Sequence, residues 1–239
     1  MENYAVTWFG HGTLRLQTRD GKKLFIDPWL AGNPAVPDNL RGDTQCDAIL
    51  ITHGHFDHVG ETTSIIDETD CQIVAIFELG SYLSWQGVPE SSIIQMNKGG
   101  TVEVAGCRAT MTHALHTAGV LEDRSIVYTG DAAGYIVEVP GGKQIYFAGD
   151  TDIMSEMELY GQLHDLDLAV LPIGDHFTMD PKRAALACRL LGVKKVLPLH
   201  YGTFPVLVGT PAKLKEELDK LGLSDVEVLE MKPGDTHTV

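Results

Sequence analysis

The sequence predicts an α/β chain folded as a four-layer αββα sandwich. Antiparallel β-type runs come first, strand and helix patterns then alternate, and the same order recurs after a hairpin signal at Pro140-Gly-Gly142. Two β-rich halves should therefore face each other with helices outside. The 239 residues, 44% of them hydrophobic, are enough for a large buried core. No linker-like or low-complexity segment interrupts the pattern, so residues 1–239 read as one domain.

Taken in order, Tyr4 to Phe9, Thr13 to Thr18 and Leu24 to Ile26 read as antiparallel strands, with Asp20-Gly21 as a turn. Ala48 to Thr52 is an apolar run of strand length, and Val59 to Ile66 then takes helical periodicity. Ile73 to Phe77 is a strand and Leu79 to Trp85 a helix. Ile93 to Met96, Val102 to Ala105 and Arg108 to Thr112 are three further strands. Gly134 to Val139 and Lys143 to Ala148 flank the hairpin signal. A helix near Ser155 to Leu163 and a strand at Leu168 to Ile173 follow. Pro181 to Leu191 is a helix with proline in its first turn, where the missing N–H has no partner to lose. Val196 to Leu199 reads as a last inner strand, Pro211 to Leu221 as a helix and Val226 to Leu229 as a closing strand.

The net charge of -15 is spread without a long acidic run and argues against nucleic acid, because phosphate-backbone binding needs clustered Lys and Arg. A small-molecule substrate is the partner to expect, and a homo-oligomer is compatible with the sequence. The N-terminus lacks a basic segment followed by an apolar stretch, and no run of about 18 apolar residues occurs, so no membrane span and a cytoplasmic location are expected. Cys46, Cys71, Cys107 and Cys188 form no C-x-x-C pair and read as free thiols of a reducing compartment.

The chemistry concentrates in Thr52-His-Gly-His-Phe-Asp-His-Val-Gly60. His53, His55, Asp57 and His58 put three imidazoles and a carboxylate into six residues. That grouping makes sense mainly for holding metal ions, each neutral ring offering a nitrogen and the carboxylate its oxygens. Three apolar strands end in a metal-type residue, running into His53, Asp150 and His200, and ligands in α/β sheets collect beyond the carboxyl ends of strands. His116, in Leu115-His-Thr-Ala-Gly119, is a fourth candidate. Five imidazoles and two carboxylates are too many for one zinc, which takes about four ligands, and suit two ions sharing a bridge. Zinc is expected first, with manganese or iron compatible with the same donors.

His53-x-His55-x-Asp57-His58, His116-Thr-x-Gly, Asp150 and His200 resemble, in order, the motifs of the metallo-β-lactamase superfamily. Trp8-Phe-Gly-His11, Asp27-Pro28, Pro172-Ile-Gly174, Met179-Asp-Pro-x-x-Ala-Ala185 and His200-Tyr-Gly-Thr-Phe204 are similar to its UlaG-like branch. The resemblance implies that His53, His55 and His116 hold one metal, that Asp57, His58 and His200 hold the other, and that Asp150 bridges them. It also makes Asp57 the candidate catalytic carboxylate.

Simpler readings compete at several positions. His113 lies three residues before His116, whose Thr-x-Gly context favours it; Asp131 follows a glycine as Asp150 does, but without so apolar a strand before it. His11 and His176, beside Gly10 and Gly174, read either as pocket-lining donors or proton carriers or as ordinary loop histidines. His164 at a helix end and His237 in the tail read as exposed.

The leading functional expectation is a dinuclear metal-dependent hydrolase of a small ester, lactone or phosphoester, because a bound metal lowers the pKa of its water towards 7 and so supplies hydroxide. The alternatives are a mononuclear iron sulfur dioxygenase, which shares the first motif, and a non-catalytic metal-binding protein of the same fold. A flavodi-iron enzyme usually carries glutamate in place of His55 and needs a flavin domain. The 39 residues after His200 leave no room for a helical glyoxalase II substrate domain. The missing basic arm speaks against transfer-RNA processing and the missing leader against a secreted β-lactamase.

Overall fold

The computed structural model describes residues 4–239. Its first half opens with strands β1 (Tyr4–Gly10), β2 (Thr13–Thr18) and β3 (Lys23–Ile26), followed by β4 (Ala48–Leu50), helices α1 (Phe56–Val59) and α2 (Thr62–Glu68), β5 (Gln72–Ile76), α3 (Phe77–Trp85) and β6 (Ile93–Met96). The second half comprises β7 (Thr101–Val104), β8 (Cys107–His113), the small strands β9 (Val120–Glu122) and β10 (Ser125–Val127), β11 (Ala133–Glu138) and β12 (Gln144–Phe147). It continues through α4 (Glu156–Leu163), β13 (Leu166–Pro172), α5 (Pro181–Leu191), β14 (Lys195–Leu199), α6 (Pro211–Lys220), β15 (Glu227–Val228) and β16 (Thr236–Thr238).

Two seven-stranded sheets result, ordered β16-β1-β2-β3-β4-β5-β6 and β15-β14-β13-β12-β11-β8-β7. Each is antiparallel at one side and parallel at the other, the change falling at β3 in the first sheet and β12 in the second. The sheets face each other across one apolar core containing Val6, Trp8, Leu14, Leu16, Tyr135 and Phe147. Helix α3 covers the first sheet outside, and α4, α5 and α6 cover the second around Met157, Leu171, Ala184 and Leu214. The four-layer αββα architecture is thus present.

Local sequence explains each layer. β2 alternates buried Leu14 and Leu16 with Arg15 and Gln17, as a strand with one solvated face must. β4, β5 and β13 are buried on both faces and are accordingly apolar almost throughout. Asp180 caps α5 by accepting from the Arg183 amide at 2.8 Å, Pro181 occupies its first turn, and Gly192 closes it in the left-handed region at φ 67°.

Three expectations need correction, and one hairpin was not foreseen. The helix expected over Val59 to Ile66 breaks into α1 and α2 at Gly60, whose φ is 41° and where a Cβ would lie 2.1 Å from the Pro28 carbonyl oxygen. The recurring order begins at β7, before the Pro140 hairpin, because β7 and β8 pair into the second sheet. The β9–β10 hairpin turns through Asp123 and Arg124, both at positive φ without glycine, and so carries no usual turn signal. His164 and His237, both expected to be exposed, are half-buried, His237 in β16 opposite Val6 because the tail returns to pair with β1. Among the described residues no helix is long and apolar enough to cross a membrane.

Candidate metal centre

The directions of the strands gather the polar residues. β1, β3 and β4 point the same way in one sheet, as do β8, β12, β13 and β14 in the other. Their carboxyl ends meet at one rim of the sandwich. His11 follows β1, Asp27 follows β3, His53 lies just beyond β4, His116 beyond β8, Asp150 beyond β12 and His200 directly after β14. His11, Asp27 and His200 all take left-handed backbone, at φ 54°, 50° and 56°, and all are buried. Such residues cost on the order of 1–3 kcal/mol each and persist where a sharp turn into a site is held by its surroundings.

Two sets of ligand atoms form, each within 4.8 Å of one another, His53, His55 and His116, and His11, Asp57, His58 and His200, and a third set, His53, His58 and Asp150, takes one histidine from each of them. In the first, His53 Nε2 and His55 Nδ1 approach to 2.9 Å. Asp150 lies between the sets, its Oδ2 3.0 Å from His200 Nε2, 3.3 Å from His58 Nε2 and 3.7 Å from His116 Nε2. His58 Nε2, both ring nitrogens of His200 and Asp150 Oδ1 are buried with no hydrogen-bond partner among the described residues. Buried polar atoms are normally satisfied, so convergent lone pairs of this kind fit a divalent cation.

A supporting network fixes the rings. Asp27 accepts from the Thr52 amide at 2.8 Å, the Thr52 hydroxyl at 2.7 Å and His58 Nδ1 at 2.8 Å. Because the Thr52 hydroxyl gives its proton to Asp27, it must accept from His53 Nδ1, 2.9 Å away. Both His53 and His58 therefore carry their proton on Nδ1 and present Nε2 to the centre. His11 Nε2 donates to Asp57 Oδ2 at 2.9 Å, and its Nδ1 is 3.0 Å from the Thr203 hydroxyl. Asp27 was legible only as part of a dipeptide motif; the signal that could have placed it, an apolar strand running into an acid, is the one that marks Asp150.

Electrostatics divide the histidines. Burial, with neighbouring imidazoles, pushes His53, His55 and His116 below the usual range, keeping their lone pairs free at neutral pH. Burial opposes charge on His58 too, but the Asp150 and Asp27 carboxylates outweigh it and raise that group well above the ordinary value. Burial would raise Asp57, yet the hydrogen bond from His11 and the nearby imidazole of His58 bring it down to about 2. His11 itself is lowered by burial to about 4.

His113 and Asp131 stand outside these sets: the His113 amide bonds the Tyr160 hydroxyl, and Asp131 pairs with Lys98. His176 is exposed on a left-handed turn beside Phe177, and it is Phe177 that lines the cleft above the centre. That cleft measures about 810 Å³ and opens over His55, Asp57, His116, Asp150 and His200.

The beta-lactamase superfamily domain matches residues 22–201 of this chain. A metal-dependent hydrolase of Roseiflexus castenholzii is 45% identical over 235 residues, covering 97% of this chain and 96% of its own. A solved metallo hydrolase from the hyperthermophilic archaeon Ignicoccus hospitalis superposes with a TM-score of 0.85 at 33% identity, over 99% of this chain and 98% of the other. A solved isothiocyanate hydrolase from Delia radicum gut bacteria gives 0.75 at 25% identity, over 98% of both. With that match running from β3 through His200, across all seven expected ligands, the chain belongs to the metallo-β-lactamase superfamily and is one of its metal-dependent hydrolases.

Proposed function

We propose that residues 1–239 form one catalytic domain holding two divalent ions, and that it hydrolyses a small ester, lactone or phosphoester. The observation that carries this reading is the position of Asp150 Oδ2, within 3.0 to 3.7 Å of imidazole nitrogens from both ligand sets. His53, His55 and His116 would hold one ion, Asp57, His58 and His200 the other, with Asp150 between them. Zinc is the first expectation and manganese or iron fits the same donors. Ions bound there would lower the pKa of coordinated water and polarise the substrate's electrophilic oxygen.

The protein's own groups do the rest. Asp57, ionised at any ordinary pH, accepts a hydrogen bond from the attacking water and aims it, and the His11 N–H holds that carboxylate in place. Asp27 and Thr52 keep His58 and His53 in the tautomers that face the centre. The solved relative named for isothiocyanate hydrolysis supports a small organic electrophile as the class of substrate.

The test is metal analysis of purified wild type and Asp150→Asn, with turnover of an ester, lactone and phosphoester panel under zinc and manganese. Two ions per chain and turnover in the wild type, both reduced in the variant, are expected. A single ion in the wild type, or oxygen consumption in place of hydrolysis, would overturn the reading.

A further inference from the structure

Phe56 from the start of α1, Phe177 and Phe204 from two separate loops, and Leu121 and Ile126 from the β9–β10 hairpin share the lining of the cleft with the metal-type residues. Leu121 and Ile126 are cross-strand partners and are 76% and 77% exposed. Isolated apolar side chains on a surface need no explanation, but a ring of them around one opening does.

The ring is built on firm supports. Trp29, itself buried, packs its ring edge-to-face on Phe56 at 5.6 Å and stacks with Phe204 at 6.1 Å. The hairpin belongs to neither large sheet, yet Glu122 beside its turn accepts from Tyr82 and Gln86 of the α3 segment. Among the described residues neither lysine nor arginine lines the cleft, and beyond the metal-type residues its polar contribution is Thr117. The reacting end of a substrate therefore meets the polar floor, while its far end meets hydrocarbon. A distal phosphate, carboxylate or sugar would lose hydration there and gain no partner, a loss that an apolar chain does not suffer.

We infer that the cleft takes a substrate whose non-reacting part is an uncharged, apolar acyl or aryl arm, laid between the Leu121–Ile126 pair and the Phe56–Phe204 wall. The inference rests on the hydrolase reading above for the reacting end and on the cleft walls for the arm.

The test uses the metal-loaded protein and its Leu121→Ser/Ile126→Ser double variant, with p-nitrophenyl esters from acetate to octanoate and an ester ending in a free carboxylate. In the wild type kcat/KM should rise at least about tenfold from acetate to octanoate, since each methylene removed from water adds to binding. The carboxylate-ended ester should fall below its neutral isostere. In the double variant the octanoate-to-acetate ratio should drop about tenfold, chiefly through KM, at unchanged metal content. A flat chain-length profile, or a ratio the variant leaves alone, overturns the inference. So does a chain-length-insensitive dimer that sedimentation shows to dissociate in the variant, because a second copy would then cover these residues.

Calorimetry with the uncleavable N-octylacetamide separates this idea from the one beneath it. Binding that the double variant abolishes, in a protein that cleaves no member of the ester, lactone and phosphoester panel, keeps the apolar arm and sinks the proposed reaction. Ester cleavage without octyl binding does the reverse.

Discussion

Replacing Asp27 with asparagine tests the logic of the centre most directly. The side chain is buried, accepts three hydrogen bonds and sits at φ 50°, a backbone state asparagine tolerates, so the substitution changes hydrogen bonding with little change of shape. One amide oxygen can still serve the Thr52 amide. The other position becomes an NH2 group facing the Thr52 hydroxyl and His58 Nδ1, two groups that both donate to Asp27 in the native chain. Relief comes if His58 moves its proton to Nε2, which removes the lone pair that faces Asp150 3.3 Å away. Losing a hydrogen bond to a charged acceptor costs roughly 1.5–3 kcal/mol, and loss of such an orienting partner typically weakens metal binding by about 10–100-fold. We expect the ion held by His58 to weaken by that factor and the ion at His53 to be affected less, through Thr52. Competition against a chromophoric chelator, with metal counting, reads both. Two ions bound with wild-type affinity would refute the orienting role of Asp27 and the tautomer assignment that depends on it.

Other expectations follow from the same geometry. His55→Ala should remove the ion of the first set and most activity, and full metal content with unaltered turnover would refute its assignment. Gly54→Ala places a Cβ 2.4 Å from the Thr129 hydroxyl and 2.8 Å from the Ala118 carbonyl oxygen, so the first motif must shift; a loss of about 1–3 kcal/mol in chelator-treated protein, typical of overpacking, is expected in denaturant titration. For pH, His11 has a folded value of about 4 against 6.5 unfolded, so the unfolded chain binds the proton first. Its contribution should therefore drain away as pH falls from about 6.5 towards 4, worth up to about 3 kcal/mol. His53, His55 and His116 shift in the same direction and His58 opposes them. Chelator-treated His11→Gln should show a shallower fall of melting temperature between pH 7 and 4.5 than the wild type, and identical slopes would contradict the argument.

Much of this protein can be read from its residues in order. The apolar alternation of Leu14 and Leu16, the continuous runs of β5 and β13, and the capped, proline-started α5 and α6 are local consequences of side-chain chemistry, and they locate most elements to within a residue or two. The cluster from His53 to His58 is legible for the same reason, because ligands within one run of six residues need no tertiary structure to be counted together. Elements held only by long-range partners were not legible. β16 is Thr-His-Thr, with no pattern of its own, and exists because β1 offers an open edge; β9 and β10 turn through residues that announce nothing.

The sequence by itself determined which side chains can ligate and which strands carry them to a common rim. The tertiary structure alone decided how those side chains are used. Whether Asp150 lies between two sets, whether Asp27 orients His58 and whether Leu121 and Ile126 overlook the cleft depend on contacts across tens to hundreds of residues. Hydrogen bonds and packing act through space over a few ångströms, so partners distant along the chain leave no periodicity for composition or spacing to register.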